Sequence, residues 1–177
     1  ESFGVSHTKK LLVHGMVAAA DGTKMSKSVG NVIDPVAQVD KYGLAAVRYY
    51  ILAGLPTYGN CSWDENELVK LYNAHLANNF GNLLNRVSIL VLKNQVVLEG
   101  ELDDAFIQNL NFKFLQYALL FDKFEIKQAI LELSGIGDLL NEYITTNQPW
   151  KEKTDQTDKI LRTLHNQLVR LANEYAV

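Results

Sequence analysis

Two lysines lie three positions apart in the segment ADGTKMSKSVGNVIDP, which spans residues 20–35. Ser26 and Ser28 stand beside Lys24 and Lys27, and a glycine flanks the group on each side. Ammonium groups can offset the negative charge that builds on a phosphate ester under attack, and the flexible lysine stem lets them reach it. Hydroxyl donors and the flanking glycines suit a loop that closes on a phosphate and reopens. The pattern predicts a mobile phosphate-binding loop, although an arbitrary pair of lysines at this spacing is more often a solvated surface loop.

A second candidate group lies on the longest predicted helix, where Asn82 and Arg86 stand four positions apart. At about 100° per residue they are neighbours on one face, turned away from an apolar stripe centred on Phe80. Amide and guanidinium groups on such a face can read base edges and hold phosphate. The residue types alone also allow an ordinary solvated face, and His75 and Asn78 on the same side are expected to be surface residues.

Pro149 and Trp150 follow the end of another predicted helix, in the segment NQPW. Proline stiffens the turn, and an indole exposed there can stack on an unpaired base. A tryptophan at a helix junction more often covers the core, so the residues alone leave both possibilities open. Trp63 directly precedes a helix start and is predicted to be a hydrophobic staple, not a ligand.

Composition narrows the classes of function. The single cysteine, Cys61, excludes an intrachain disulfide and favours a reducing, intracellular compartment. The four histidines show no spacing typical of metal ligands, so no metal site is predicted. A net charge of −3 argues against a nonspecific polyanion binder but permits a local phosphate site. The apolar runs are shorter than the roughly 20 residues of a membrane helix, so no membrane partner is expected.

The segments that position these residues are mostly helical in pattern. Residues 11–18 are expected to form a strand that enters an Asp-Gly turn, and residues 57–63 a loop. Asp34 begins a helix, and Asp64 with Glu67 forms a capping-box pattern. The apolar stripe after Asp64 consists of Leu68, Tyr72, Leu76, Phe80, Leu83, Leu84, Val87 and Val91. Helices are expected at residues 35–42, 44–54, 64–95, 103–122, 124–145 and 155–175.

The chain is therefore predicted to be mainly α and to have two parts. Residues 1–56 have the pattern of the C-terminal end of an α/β domain, and residues 57–177 that of an up-and-down helical bundle. Residues 1–56 are too few to bury a core alone, so they are expected to be the tail of a domain whose beginning is absent. The bundle is expected to be truncated inside its last helix.

The string KMSKS at residues 24–28, followed by GNVIDP, resembles the signature loop of class I aminoacyl-tRNA synthetases. The downstream strings DKYGLAAVRYYIL and YNAHLANNFGNLLNRV narrow the resemblance to the methionyl-tRNA synthetase family. The resemblance covers nearly the whole chain and is densest between His14 and Val87. It implies the last part of a class I catalytic domain followed by an α-helical anticodon-binding domain.

The resemblance also implies roles for individual residues. Lys27 becomes the main contact to the triphosphate of ATP and Lys24 a supporting one, so both are candidate catalytic residues. Met25 becomes a packing residue that anchors the loop. The implied ATP-binding residues are Lys24, Ser26, Lys27 and Ser28. The implied anticodon-binding residues are Asn82, Arg86, Pro149 and Trp150, with Trp150 stacking on the bases.

The family joins methionine to its tRNA with ATP and Mg²⁺, so ATP, methionine and a tRNA with the methionine anticodon are the implied ligands. The His-x-Gly-His motif of the family is missing from this chain, and the family's zinc knuckle lies in an upstream insertion. The resemblance therefore implies a fragment, inactive alone, of a cytoplasmic or organellar enzyme. Two alternatives stay open: a fragment of a leucyl, isoleucyl or valyl synthetase, and a non-catalytic helical adaptor.

Overall fold

The computed structural model describes residues 10–176, and their fold is mainly α, as predicted. The elements within these residues are β1 (Val17–Ala18), α1 (Pro35–Tyr42), α2 (Leu44–Tyr49), β2 (Cys61–Ser62), α3 (Glu65–Leu71), α4 (Asn82–Asn94), α5 (Asp104–Asp122), α6 (Ile126–Asn147) and α7 (Asp155–Ala176). Two π-helical stretches add to them. Tyr50–Gly54 continues α2, and Tyr72–Gly81, called the π segment below, joins α3 to α4.

The two strands form a short parallel pair, with Val17 opposite Cys61 and Ala18 opposite Ser62. The predicted strand is therefore wrong for residues 11–16, and the predicted loop over residues 57–63 contains β2. A strand must pair its backbone groups along its length, and the described chain offers β1 only the two residues of β2. The extent of β1 is thus decided by a distant segment and not by the local apolar run.

The start of α1 agrees with the prediction. The Asp34 carboxylate accepts a hydrogen bond from the backbone N–H of Val36 at 2.9 Å, and Pro35 occupies the first turn. Gly43 ends the helix with φ of 85°, a left-handed value that side chains resist. Since α1 begins only a few residues after the lysine pair, its cap fixes where the lysine loop ends.

The start of α3 agrees with the prediction in part. Asp64 accepts hydrogen bonds from the backbone N–H groups of Asn66 and Glu67. The reciprocal half of the predicted capping box is wrong, because the N–H of Asp64 donates instead to the hydroxyl of Tyr50 at 3.0 Å. Glu67 turns to Lys70, one turn along the helix. A buried tyrosine from the π-helical stretch after α2 has replaced the local carboxylate as the partner of this N–H.

The predicted staple at Trp63 is confirmed. Its side chain is 7% exposed and shares an apolar cluster with Leu68, four positions into α3. The ring of Tyr50 meets the indole edge-on, with ring centroids 4.9 Å apart. The buried members of this cluster, called the junction cluster below, are Ala46, Val47, Tyr50, Leu55, Trp63 and Leu68.

The predicted apolar stripe from Leu68 to Val91 is confirmed at most of its positions and wrong at two. Leu68, Leu83 and Val87 are buried, and Leu76, Phe80 and Val91 are half-buried against the main core, but Tyr72 is 38% exposed and Leu84 is 45% exposed. A π turn closes i→i+5 hydrogen bonds and holds more residues than the 3.6 of an α turn. The two exposed positions lie at the start of the π segment and just after its end, where the helical period changes.

The main core lies among the π segment and helices α4 to α7. Its fully buried residues include Leu83, Leu110, Leu133, Ile136, Leu140, Ile144, Leu164 and Leu171. Tyr49 and Ala53 also belong to this core, although they come from the part assigned to the catalytic domain. The boundary at residue 56 stays a prediction. None of the helices in the described part of the chain is both long and apolar enough to span a membrane.

The Glu65 carboxylate joins α1 to α3. One oxygen accepts from Gln38 at 2.9 Å, and the other accepts from Lys41 and from the hydroxyl of Tyr42, both at 2.7 Å. The hydrogen bond from Lys41 is the largest of three that hold the pKa of Glu65 down to about 2, and the same pair raises the pKa of Lys41. Since α1 directly follows the lysine loop, the bonds of Glu65 connect that loop to α3.

Acidification is expected to remove the contribution of Glu65 to stability. Because its pKa falls on folding from 4.5 to about 2, the contribution is complete above about pH 5 and lost as the pH falls toward about 2. Both side chains of the Lys41–Glu65 pair are well exposed, so solvent screening should keep this contribution small. The contribution is measured as the difference in free energy of unfolding by urea between the parent chain and Glu65→Gln, from neutral pH downward. The two curves should converge on acidification, and Glu67→Gln should differ little from the parent throughout.

Candidate functional site

The backbone of the lysine loop is held by the side chain of Asn31. Its Oδ1 accepts from the backbone N–H of Ser26 at 2.8 Å, and its Nδ2 donates to Thr23 Oγ1 at 2.9 Å and to the backbone oxygen of Lys24 at 3.2 Å. A turn follows, in which the N–H groups of Val29 and Gly30 both donate to the oxygen of Ser26 at 3.1 Å. Asn31 thus closes the loop from its far end.

The other end of the loop is the turn after β1. Asp21 accepts from both the N–H and the hydroxyl of Thr23, which lowers the pKa of the carboxyl group. Gly22 and Gly30, at the two ends of the loop, have φ of 80° and 74°, values that explain the glycine at both positions. The predicted Asp-Gly turn is present.

The loop leaves its cations available. Lys24 and Lys27 are exposed, and within residues 10–176 neither ammonium forms an ion pair or a side-chain hydrogen bond. The hydroxyls of Ser26 and Ser28 lie 2.8 Å apart. Met25 packs against the junction cluster, so the loop is anchored between its two lysines as expected. The four polar side chains predicted to bind ATP therefore surround one exposed turn.

Two of the predicted anticodon residues, Arg86 and Trp150, meet beside the end of α6. The guanidinium of Arg86 lies over the indole of Trp150, 5.7 Å from the ring centroid. Trp150 is 45% exposed, and Asn82 and Arg86 are also exposed, one turn apart at the start of α4. Pro149 is buried and forms part of the turn after Gln148, which has left-handed φ of 46°. The surface formed by Asn82, Arg86 and Trp150 is called the recognition surface below.

The comparisons with known proteins cover both groups of residues. Residues 1–88 match the family model described as class I tRNA synthetases (M), and residues 95–176 match the anticodon-binding domain of methionyl tRNA ligase. The methionine–tRNA ligase of Rickettsia prowazekii is 34% identical over 90% of this chain. That of Halalkalibacterium halodurans is 36% identical over 85% of it. The chain belongs to the methionyl-tRNA synthetase family.

Solved structures agree with this assignment. The Mycobacterium tuberculosis methionyl-tRNA synthetase in complex with methionyl-adenylate aligns with 92% of this chain at a TM-score of 0.76 and 31% identity. The chain spans about a third of that structure and of the Rickettsia relative, and 24% of the Halalkalibacterium one. The predicted methionyl-tRNA synthetase family is confirmed. The second family model, specific to methionyl enzymes, gives no support to the leucyl, isoleucyl or valyl alternative.

One residue that was predicted to lie on the surface forms a hydrogen bond with a residue of the main core. His75 was predicted to be an ordinary surface residue, but it is half-buried, and its Nδ1 forms a 2.7 Å hydrogen bond with the hydroxyl of Tyr49. Burial raises the pKa of Tyr49 to about 12. Asn78 is exposed, as predicted. His75 lies seven positions after the buried Leu68, so α-helical periodicity counted from Leu68, and not from Phe80, would have placed it toward the core.

Asn79 is a second residue that the sequence analysis missed. It is half-buried and bonds to three residues of α6: its Nδ2 donates to Asp138 at 2.7 Å and to the backbone oxygen of Ser134 at 3.4 Å, and its Oδ1 accepts from Asn141 at 2.6 Å. An asparagine in a helix interior is a weak helix former, and that was the only signal available in the sequence.

Proposed function

We propose that this chain carries two binding sites of a methionine–tRNA ligase: a loop for the phosphates of ATP and a surface for the anticodon of methionine tRNA. The observation that carries the proposal is the meeting of Arg86 with Trp150, beside Asn82, on an exposed surface. These residues come from two helices far apart in sequence. A stacking ring, a planar cation and an amide together are the groups that bind unpaired bases.

The proposed role of the lysine loop follows from its charge. In the parent reaction the methionine carboxylate attacks the α-phosphate of ATP, and negative charge moves onto the leaving pyrophosphate. Lys27, supported by Lys24, would offset that charge, while Ser26 and Ser28 offer hydroxyl donors to phosphate oxygens. Both lysines are exposed and without partners in residues 10–176, which supports this role.

Mg²⁺ accompanies ATP phosphates and prefers oxygen ligands, chiefly carboxylates and water. The loop does not fit the metal well, because its side chains are chiefly ammonium and hydroxyl donors and Asp21 is bonded to Thr23. Among residues 10–176 no three His, Cys, Asp or Glu side chains are grouped to hold a metal. We therefore propose that Mg²⁺ is bound through the nucleotide.

We propose the cytoplasm as the place of action, with an organelle as the alternative. The support is the free thiol of Cys61, which is half-buried beside β1, where burial raises its pKa. The sequence holds no second cysteine to pair with it, and a chain without an intrachain disulfide suits a reducing compartment.

Arg86→Ala is expected to weaken binding of an RNA hairpin that carries the methionine anticodon by about 1–3 kcal/mol, or about 5- to 150-fold. Arg86→Lys should recover only part of the loss, because lysine keeps the charge without the planar group that stacks on the ring. Fluorescence anisotropy with a labelled hairpin, at one fixed salt concentration, measures the affinity. Lys93→Ala, which removes a cation from the last turn of the same helix, is the matched control.

The same titration tests the proposed function as a whole. The parent chain should prefer the methionine anticodon over a hairpin with one anticodon base changed. Equal binding of the two hairpins, or an Arg86→Ala variant that binds as the parent does, would contradict the proposal and favour a helical adaptor.

A further inference from the structure

α4, which carries Asn82 and Arg86, does not continue α3 as one regular α-helix, because the π segment lies between them. The π segment ends at Gly81, and the backbone N–H of the next residue, Asn82, is shared between the oxygen of Ala77, five residues back, and that of Asn79, three residues back. π turns are rare and are commonly found at functional sites. The direction in which Asn82 and Arg86 point therefore depends on this π segment, since each extra residue in a turn rotates all the residues that follow.

Asn79 attaches the π segment to α6. Besides its side-chain bonds to Asp138 and Asn141, its backbone oxygen lies 3.4 Å from the Nδ2 of Asn141. A side chain that enters the backbone ladder of a helix is a known cause of its distortion. Gly137 makes the approach possible, because a Cβ at that position would lie 3.0 Å from the Oδ1 of Asn79. We call Asn79, Gly137, Asp138 and Asn141 the amide clamp.

The amide clamp and the recognition surface lie on the same two continuous stretches of chain: the π segment with α4, and α6 with the turn that follows it. α6 holds the partners of Asn79 and leads directly into the turn that carries Trp150. On the other side of the clamp, the helical backbone continues from Asn79 for about two turns to Arg86, whose guanidinium meets the indole of Trp150. The clamp is thus a side-chain link between α6 and the helical segment that leads into α4.

We propose that Asn79 is a positioning residue for anticodon recognition: through the amide clamp it holds the π segment and so sets how Asn82 and Arg86 face Trp150. The inference rests on the proposed function, because it assigns the clamp a role at that same surface. The side chain of Asn79 contacts neither Arg86 nor Trp150 within residues 10–176, although its backbone oxygen accepts a hydrogen bond from the N–H of Asn82. Its effect is exerted through the rotation of the helix.

An isosteric exchange tests the clamp. Asn79→Asp places two carboxylates where Nδ2 now donates to Asp138, so the clamp should open. Adding Asp138→Asn restores a donor at that position, and the new carboxylate still accepts from Asn141. We expect Asn79→Asp to lower the preference for the methionine anticodon over a single-base variant by about fivefold or more. The double variant should recover most of that preference.

A steric pair supplies independent variants. Gly137→Ala would push Asn79 away while every polar group of the clamp stays, and it should lower the preference to a similar extent. Gly135→Ala, two positions earlier on α6, has nothing within 4 Å of the added carbon and is the matched control. If Asn79→Asp does not fold, the double variant and this pair decide.

The preference is measured as the ratio of the two hairpin affinities, at temperatures where each variant is folded. A residue with a merely structural role would leave this ratio unchanged. A lower melting temperature with an unchanged ratio in Asn79→Asp and Gly137→Ala would overturn the inference. If Arg86→Ala abolishes the preference and these variants keep it, the proposed function stands and the clamp alone is refuted. A parent chain without preference would overturn both.

Discussion

Trp150→Ala is expected to weaken binding of the methionine-anticodon hairpin by about 1–3 kcal/mol for each base that stacks on the ring, or about 5- to 150-fold. The ring is 45% exposed and meets the guanidinium of Arg86 rather than the apolar core. Its removal should therefore cost little stability, and the melting temperature should fall by no more than about 4 °C. Anisotropy titration and thermal unfolding on the same samples measure both quantities.

Two other variants control this experiment. Trp150→Phe keeps an aromatic face and should retain most of the affinity. Trp63→Ala removes the other indole, which is 7% exposed in the junction cluster, and should lower the melting temperature strongly without a specific effect on RNA binding. A Trp150→Ala variant with unchanged affinity and a large fall in melting temperature would mean that the ring is a core residue and not a stacking platform.

Gly15→Ala is expected to have the largest structural effect. A Cβ at Gly15 would lie 1.7 Å from the backbone oxygen of Gly59 and 2.1 Å from its carbonyl carbon. Because both sides of this contact are backbone, no side-chain rotation can relieve it. We expect a destabilisation of about 3 kcal/mol, at the upper end of the range for overpacked sites.

Hydrogen exchange locates the effect of Gly15→Ala. The N–H groups of Cys61 and Trp63 donate to Met16 and Ala18 across the strand pair, each at 3.0 Å. Their protection should fall by about two orders of magnitude if the pairing opens. Gly135→Ala, in open space within a helix, should instead leave these amides protected and raise stability slightly. Full protection in Gly15→Ala would contradict the close approach of the two segments.

The parts of the fold that could be predicted are those decided by nearby residues. Asp34 and Asp64 start helices because their carboxylates bond to N–H groups two or three positions away. The lysine loop was found for the same reason, since all its chemical groups lie within one short string. Helices α5, α6 and α7 follow from apolar periodicity along a single segment.

The parts that could not be predicted depend on distant partners. The π segment is held by Asn141, which lies 62 positions from Asn79, and nothing in the local sequence indicates that contact. The short extent of β1 depends on β2, 44 positions away. At the recognition surface, the sequence supplied Arg86 and Trp150 as separate candidates on different helices. Their meeting depends on how those helices pack.

The side chain of Asn31 has a consequence for how the lysine loop would take up a ligand. Ordering one backbone residue costs about 1–2 kcal/mol of conformational entropy, and the bonds of Asn31 to Thr23, Lys24 and Ser26 mean that much of this loss occurs when the chain folds. A polyphosphate arriving later would have to order little more than two lysine side chains. The loop is in this sense preorganised, with the shape of its main chain set in advance and its charges left free to adapt.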